Sequence, residues 1–288
     1  MTDSPSGVLV LVATPIGNLG DLSPRAVEVL RDADVIAAED TRRTRGLLTH
    51  AGVPAAGRLR SIHAHNERAG AQTIVDAVRA GQRVAYVTDA GMPGVSDPGE
   101  LLVRACLDEG LAVEVVPGPS AVLTALVLSG FPTDRFVFEG FLPRRGSARR
   151  ERIATMAGER RTTVLFEAPN RVLATLSDLL AACGPLREVA VARELTKLYE
   201  EVWRGELSEA VGNVGANGPR GEYVIVLGPA PEPPAASDEE IDAHVLAALT
   251  EGLSTRDAAA RVARDLRVPR RRVYDAATRL RQVMKSQK

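Results

Sequence analysis

Short runs of aliphatic and β-branched residues recur along the chain at Val8–Thr14, Val35–Ala38, Arg83–Thr88, Ala112–Val116, Thr162–Glu167, Val189–Arg193 and Tyr223–Leu227. Each is brief and mostly apolar, as strands covered on both faces are. Helical signals alternate with them. Ser23 before Pro24 offers an N-cap and a proline at the first helical position for Arg25–Asp32. Asp97 before Pro98 predicts the same device for Glu100–Glu109, and Ser120 is placed to cap Ala121–Ser129. Strands alternating with helices predict an α/β protein with largely parallel sheets.

The pattern changes near Pro229. Residues 229–236 begin Pro-Ala-Pro-Glu-Pro-Pro, a stiff, extended linker. Beyond it, 237–288 reads as helix only. Ser237 to Glu240 matches a capping box, with Ile241, Val245, Leu246 and Leu249 on the following face. Gly252 ends that helix, and Ser254 caps a second that carries Ala258, Ala259, Val262, Ala263 and Leu266. A turn at Arg267–Pro269 leads to a third through Val273, Tyr274, Ala277 and Leu280. A helix-turn-helix fits this spacing, and so does a plain three-helix bundle.

A formal net charge of -1 suggests no polyanionic partner, but its distribution does. Arg261–Lys288 holds ten Lys or Arg against two Asp, and Arg135–Arg161 holds eight Arg against three Glu, for local charges of +8 and +5. Solvated helix faces would give the same counts. Aromatic residues are only 3% of the chain, so aliphatic packing must fill the interior. Cys106 and Cys183 lack a C-x-x-C partner and suit a reducing, cytoplasmic compartment. Met1–Gly7 lacks the basic flank of a secretion signal, and Ala121–Leu128 is too short to span a bilayer, so no membrane partner is expected.

Three loops following predicted strands carry glycine and proline together: 12–18, 88–99 and 116–121. Glycine lets backbone approach a ligand, proline fixes loop shape, and ligands of open α/β sheets bind beyond strand C-termini. Asp89, at a strand end, could accept hydrogen bonds from a ligand or simply cap a turn. Neither a Walker phosphate loop nor a G-x-G-x-x-G fingerprint is present. His63-Ala64-His65 alternates on a strand-like run, which points its imidazoles apart, and no zinc or hydrolase motif occurs, so no metal site is expected.

Eight ordered blocks give the chain a family resemblance. They are Ala13–Ala26, Ala38–Arg42, Asp89–Pro93, Pro117–Ala121, Phe138–Pro143, Glu167–Arg171, Arg193–Lys197 and Gly221–Tyr223. Together they resemble the ribosomal small-subunit methyltransferase I family of the tetrapyrrole methylase superfamily, and the terminal helices resemble the helix-turn-helix often appended there. Thr14-Pro15-Ile16-Gly17-Asn18 replaces the G-x-G-x-G opening of the corrin and sirohaem branch.

The resemblance implies a two-lobed class III methyltransferase fold, with lobes 1–118 and 119–228, linker 229–236 and an RNA-binding helical domain 237–288. It implies a homodimer that uses S-adenosylmethionine, bound between the lobes, to methylate the ribose 2'-hydroxyl of cytidine 1402 in the 16S rRNA of the small ribosomal subunit. Pro15, Asp89, Gly91, Met92, Pro93, Ser120 and Ala121 are then expected at the cofactor. Glu167, Arg193 and Glu194, at strand ends, are expected to position substrate and handle its proton, although both carboxylates could be structural partners of Arg171 or Arg193. Arg144, Arg145, Arg149 and Arg150, with Arg270, Arg271 and Arg272, are expected to contact RNA. A tetrapyrrole methylase would have no need of the arginine clusters, and a non-enzymatic nucleic-acid-binding protein would leave the glycine–proline loops without purpose.

Overall fold

The computed structural model describes residues 7–62, 67–216, 218–232 and 236–286. His63–Ala64–His65 and residues 233–235 of the linker lie outside the described residues. The chain divides into two compact units, Met1–Ala230 and Pro231–Lys288.

The first unit opens with β1 (Val8–Val12), α1 (Pro24–Asp32), β2 (Val35–Ala38), α2 (Thr41–His50), β3 (Leu59–Ser61), α3 (Glu67–Arg79), β4 (Arg83–Val87), α4 (Glu100–Asp108) and β5 (Ala112–Val116). The strands form a parallel sheet in the order β3-β2-β4-β1-β5. Side chains alternate across it. Val8, Val10 and Val12 pack with α1 and α2, whereas Leu9 and Leu11 pack with α3 and α4. Covering on both faces is why β1, β2 and β4 read as continuous apolar runs. Because β4, β1 and β5 are neighbours, the loops after their C-terminal ends lie side by side. Thr14 and Gly91 tie two of them together by reciprocal backbone hydrogen bonds of 2.9 and 3.0 Å.

Helix α5 (Ala121–Ser129) leads to β6 (Phe136–Phe141), α6 (Ser147–Ala157), β7 (Thr162–Glu167), α7 (Val172–Cys183), β8 (Glu188–Arg193), β9 (Glu201–Glu206), α8 (Leu207–Ala216) and β10 (Tyr223–Leu227). This sheet, ordered β6-β7-β10-β8-β9, is mixed. Only β6 and β7 run parallel, and the other three pairings are antiparallel. The expectation of largely parallel sheets therefore fails in this half. Burial on both faces leaves the same apolar signature whichever way a strand runs. One face packs on α6, α7 and α8, and the other on α5.

Helix starts follow local chemistry where a side chain reaches the first turn. The hydroxyl of Ser23 accepts from Ala26 N at 3.1 Å, and that of Ser120 from Leu123 N at 3.4 Å. Asp97 does not cap α4. That helix starts from Gly99, whose φ of +134° has no cost for glycine, and no side chain caps it.

The second unit is three helices, α9 (Asp238–Thr250), α10 (Thr255–Asp265) and α11 (Arg270–Ser286). Ser237 and Ser254 cap the first two. Ile241, Val245, Leu249, Ala258, Ala259, Val262, Val273 and Ala277 close its core. Tyr274, expected on the inner face, is half exposed.

Arg187 ties the second sheet to α6. Its buried guanidinium donates to the carbonyls of Gly228 (2.7 Å), Ala157 (3.2 Å), Glu159 (3.1 Å) and Met156 (3.4 Å). Arg187→Met keeps the apolar stem but leaves these acceptors without a donor. It should cost about 3 kcal/mol of stability, read from the urea midpoint at unchanged slope. An unchanged midpoint would show that those carbonyls need no such donor.

Candidate active site

The three glycine–proline loops form one wall of a cavity of about 320 Å3 inside the first unit. Ile16, Ala90, Gly91, Met92, Ser96, Asp97, Ser120 and Ala121 line that wall. The second sheet supplies the other from strand ends far apart in sequence: Phe141, Phe166, Glu167, Leu195, Glu222 and Tyr223. Mostly apolar, with a few converging polar groups, this is the character of a small-ligand site.

The lobes meet where loops interlock. Gly17 sits against Leu195–Lys197 so closely that a Cβ there would fall 2.5 Å from Lys197 Cγ and 2.9 Å from the Leu195 carbonyl oxygen. Asn18 N donates to Thr196 Oγ1 at 3.1 Å. Thr196, a β-branched residue, holds φ at +66°, and Glu194 holds +51°. The Glu194 carboxylate accepts from Glu222 N at 3.0 Å and pairs with Lys197 at 2.8 Å, which fastens the loop to β10.

Of the residues expected at the cofactor, Gly91, Met92, Ser120 and Ala121 line the cavity. Pro15 is buried beside it and Ile16 takes the lining position, while Pro93 is buried behind the wall. Asp89 stands next to the lining residue Ala90. One of its oxygens pairs with Arg43 at 3.3 Å, and Oδ1 is buried without a hydrogen-bond partner among the described residues.

Glu167 does not fit the role of proton acceptor. Its side chain is 0% exposed, with Oε2 accepting from Thr175 Oγ1 at 2.6 Å and Oε1 facing Arg171 Nε at 3.2 Å. Arg149 also departs from expectation. It is buried, donating to Thr175 Oγ1 (2.9 Å), Asp178 (2.7 Å) and the Pro143 carbonyl (3.2 Å), so it cannot meet a phosphate. Arg171 grips the Leu142 carbonyl at 2.7 Å. Arg149, Thr175, Glu167 and Arg171 thus form one network bracing the ends of β6 and β7. Arg193 faces away from the main cavity into a void of about 20 Å3 beside Trp203, paired with Glu201 at 3.1 Å. Glu194 lies behind Leu195, and its hydrogen bond from Lys197 holds its carboxyl below the usual carboxylate range. Arg144, Arg145 and Arg150 are exposed on the first unit, and Arg270 and Arg271 on the second. Arg272 is half-buried in a 2.6 Å pair with Asp238.

Sequence reasoning missed Asp97 and the aromatic wall. Asp-Pro ahead of a helix reads as a cap, which concealed a carboxyl at the cavity. Burial pushes the Asp97 carboxyl up to about 7, with the negative charges of Glu39, Asp89 and Glu222 adding to the effect. Burial raises Glu39 too. The glycine-loop wall is thus an acidic one.

A family model described as Tetrapyrrole (Corrin/Porphyrin) Methylases matches residues 8–211, and one described as RsmI C-terminal HTH domain matches 235–281. The "Ribosomal RNA small subunit methyltransferase I" of Synechocystis sp. is 45% identical over 276 residues, 95% of this chain and 98% of its own length. The protein of that name from Thermotoga maritima is 47% identical over 221 residues, 77% of this chain and 98% of its own. Among solved structures, a uroporphyrin-III C-methyltransferase from Thermus thermophilus in complex with S-adenosyl homocysteine shares the fold at TM-score 0.55. It is 22% identical, with 77% of this chain and 97% of that one covered. The chain belongs to the ribosomal RNA small subunit methyltransferase I family of the tetrapyrrole methylases.

The acidic wall carries a pH signature. A carboxyl whose pKa rises from 3.8 unfolded to about 7 folded stabilises the fold fully below the lower value and loses that contribution as pH rises through the upper. Asp97→Asn should therefore match the parent's stability near pH 4 and exceed it by ~1–2 kcal/mol near pH 8, after allowance for solvent screening. Melting curves across that range check this. A difference that does not change with pH would contradict it.

Proposed function

We propose that the chain transfers the methyl group of S-adenosylmethionine to the ribose 2'-hydroxyl of cytidine 1402 in 16S rRNA. The observation that carries this reading is the two-walled cavity, within a chain whose relatives along nearly its whole length are named for small-subunit rRNA methylation. When bound, S-adenosylmethionine supplies a methyl group made electrophilic by its sulfonium charge. The residues present suit that group. Met92, Ala121 and Ile16 offer apolar contact, and Gly91, with φ of +77°, brings backbone close. Asp89 has a buried oxygen in need of a donor, and Asp97, Glu39 and Glu222 oppose a positive charge.

A ribose hydroxyl is a weak acid, so its proton must have somewhere to go. Asp97 is the carboxyl at the cavity wall whose affinity for protons suits that task near neutrality, and its carboxylate takes the proton from the 2'-oxygen. Glu167 borders the cavity with its carboxylate engaged by Thr175 and Arg171, and positions the wall.

Arg144, Arg145 and Arg150, with Arg270 and Arg271 on the helical unit, provide exposed cations for RNA phosphates. Helix α5 is apolar on every side and exposes Leu123 and Val127, the latter 70% accessible. This supports a homodimer that covers them. No helix among the described residues is long and apolar enough to cross a membrane, which accords with a cytoplasmic enzyme acting on ribosomal subunits.

The test is methyl transfer from labelled S-adenosylmethionine to small ribosomal subunits lacking the modification, followed by nucleotide mapping. Label on the ribose oxygen of the cytidine is expected. Label on a base, or none in RNA, would overturn the reading.

A further inference from the structure

Of the five phenylalanines of this aromatic-poor chain, Phe141 and Phe166 line one side of the cavity and Phe138 packs against Phe166. Phe166 sits 5.1 Å from Phe138, edge to face, and 5.6 Å from Phe141, measured between ring centres. Phe138 and Phe141 are three residues apart in β6, a spacing that would place them on opposite faces of a regular strand. A bulge between Phe138 and Gly140 adds a residue, so Phe138 pairs with Val164 and Phe141 with Phe166, and both rings share one face of the sheet. Gly140 makes this possible with φ of +61°. Its missing side chain also leaves room for Ser96 of the opposite wall, whose Oγ would lie 3.0 Å from a Cβ there.

The bulge thus turns an aromatic ring toward the cavity and leaves it 52% exposed. Such exposure costs hydrophobic stabilisation that a filler residue would retain. The segment just beyond is fixed, because Arg171 holds the Leu142 carbonyl and Arg149 the Pro143 carbonyl. Exposed Arg144 and Arg145 follow at once. Asp97 lines the glycine-loop wall and Glu167 and Glu222 line the other, so the exposed ring and the arginines that follow it, at the edge of the second wall, are where a polyanionic strand meets the site.

We propose that Phe141 is the stacking platform for the base of the nucleotide whose ribose enters the cavity, with Arg144 and Arg145 holding the adjoining phosphates. This rests on the methyl-transfer reading above and adds the base-recognition subsite to it. Stacking needs a flat π-face and is indifferent to which base presents one. An aromatic ring is thus required at 141, and an aliphatic side chain of similar bulk fails.

The test uses the full chain in three variants, Phe141→Ala, Phe141→Leu and Phe141→Trp. Affinity for unmodified small ribosomal subunits is read by filter binding, and affinity for S-adenosylhomocysteine by calorimetry. Loss of one stacked base should raise the subunit Kd about tenfold in the Ala and Leu variants. The Trp variant should stay close to the parent, and S-adenosylhomocysteine affinity should hold in all three. Leu binding subunits as well as Phe would make the ring an apolar filler and overturn the proposal. Lost S-adenosylhomocysteine affinity with subunit binding intact would assign the ring to the methyl donor and overturn it too. A parent that labels a base, or no RNA, defeats the methyl-transfer reading on its own, whatever the three variants do.

Discussion

A cavity bounded by two sheets needs the sheets held at a fixed separation, and here a residue without a side chain sets it. Gly17 lets the loop after β1 lie directly against Leu195–Lys197, with backbone in the way of any larger residue. Everything nearby is committed to that contact. Ile16 and Leu195 join the same apolar cluster with α5 and the inner face of the second sheet. Thr196 accepts from Asn18 N in a left-handed conformation that its branched side chain disfavours. Lys197 bridges Glu194 and Glu222 at 2.8 and 2.9 Å, so the loop cannot relax without breaking charged hydrogen bonds. Ser96 against Gly140 is a second contact of the same kind at the other edge.

From this constraint follows a division of labour. Loops at the C-terminal ends of a parallel sheet supply close backbone and negative charge. Strand ends of a mixed sheet supply aromatic surface, stiffened beneath by Glu167, Thr175, Arg149 and Arg171. Carboxylates reach the cavity from both walls, as Asp97 on one and Glu222 on the other, while the exposed aromatic surface belongs to the second alone. Glu167 is central to this. Its carboxylate is spent on Thr175 and Arg171.

Much of the first lobe was legible because β1, β2 and β4 are covered on both faces and α1 announces itself with Ser23 and Pro24. Of the edge strands only β5 was. β3, β6 and β9 were missed because they are only partly buried and carry polar residues such as Arg60, Glu139 and Arg204. The glycine–proline loops pointed to one wall of the site from sequence alone. The other wall escaped because Phe141, Phe166 and Glu222 become neighbours only through the strand order β6-β7-β10. Asp97 and Arg149 were misread for a related reason. A side chain's environment is tertiary, so an aspartate before proline looks like a cap and an arginine in a basic run looks solvated.

The dependence of the donor site on the interlobe contact can be measured directly by calorimetric titration of S-adenosylmethionine into the parent chain and into Gly17→Ala. If the contact sets the cavity, the parent binds one equivalent per chain. The alanine variant then loses at least about tenfold in affinity, since a Cβ must displace the Leu195 backbone. A Gly17→Ala chain that binds S-adenosylmethionine as tightly as the parent would contradict the account.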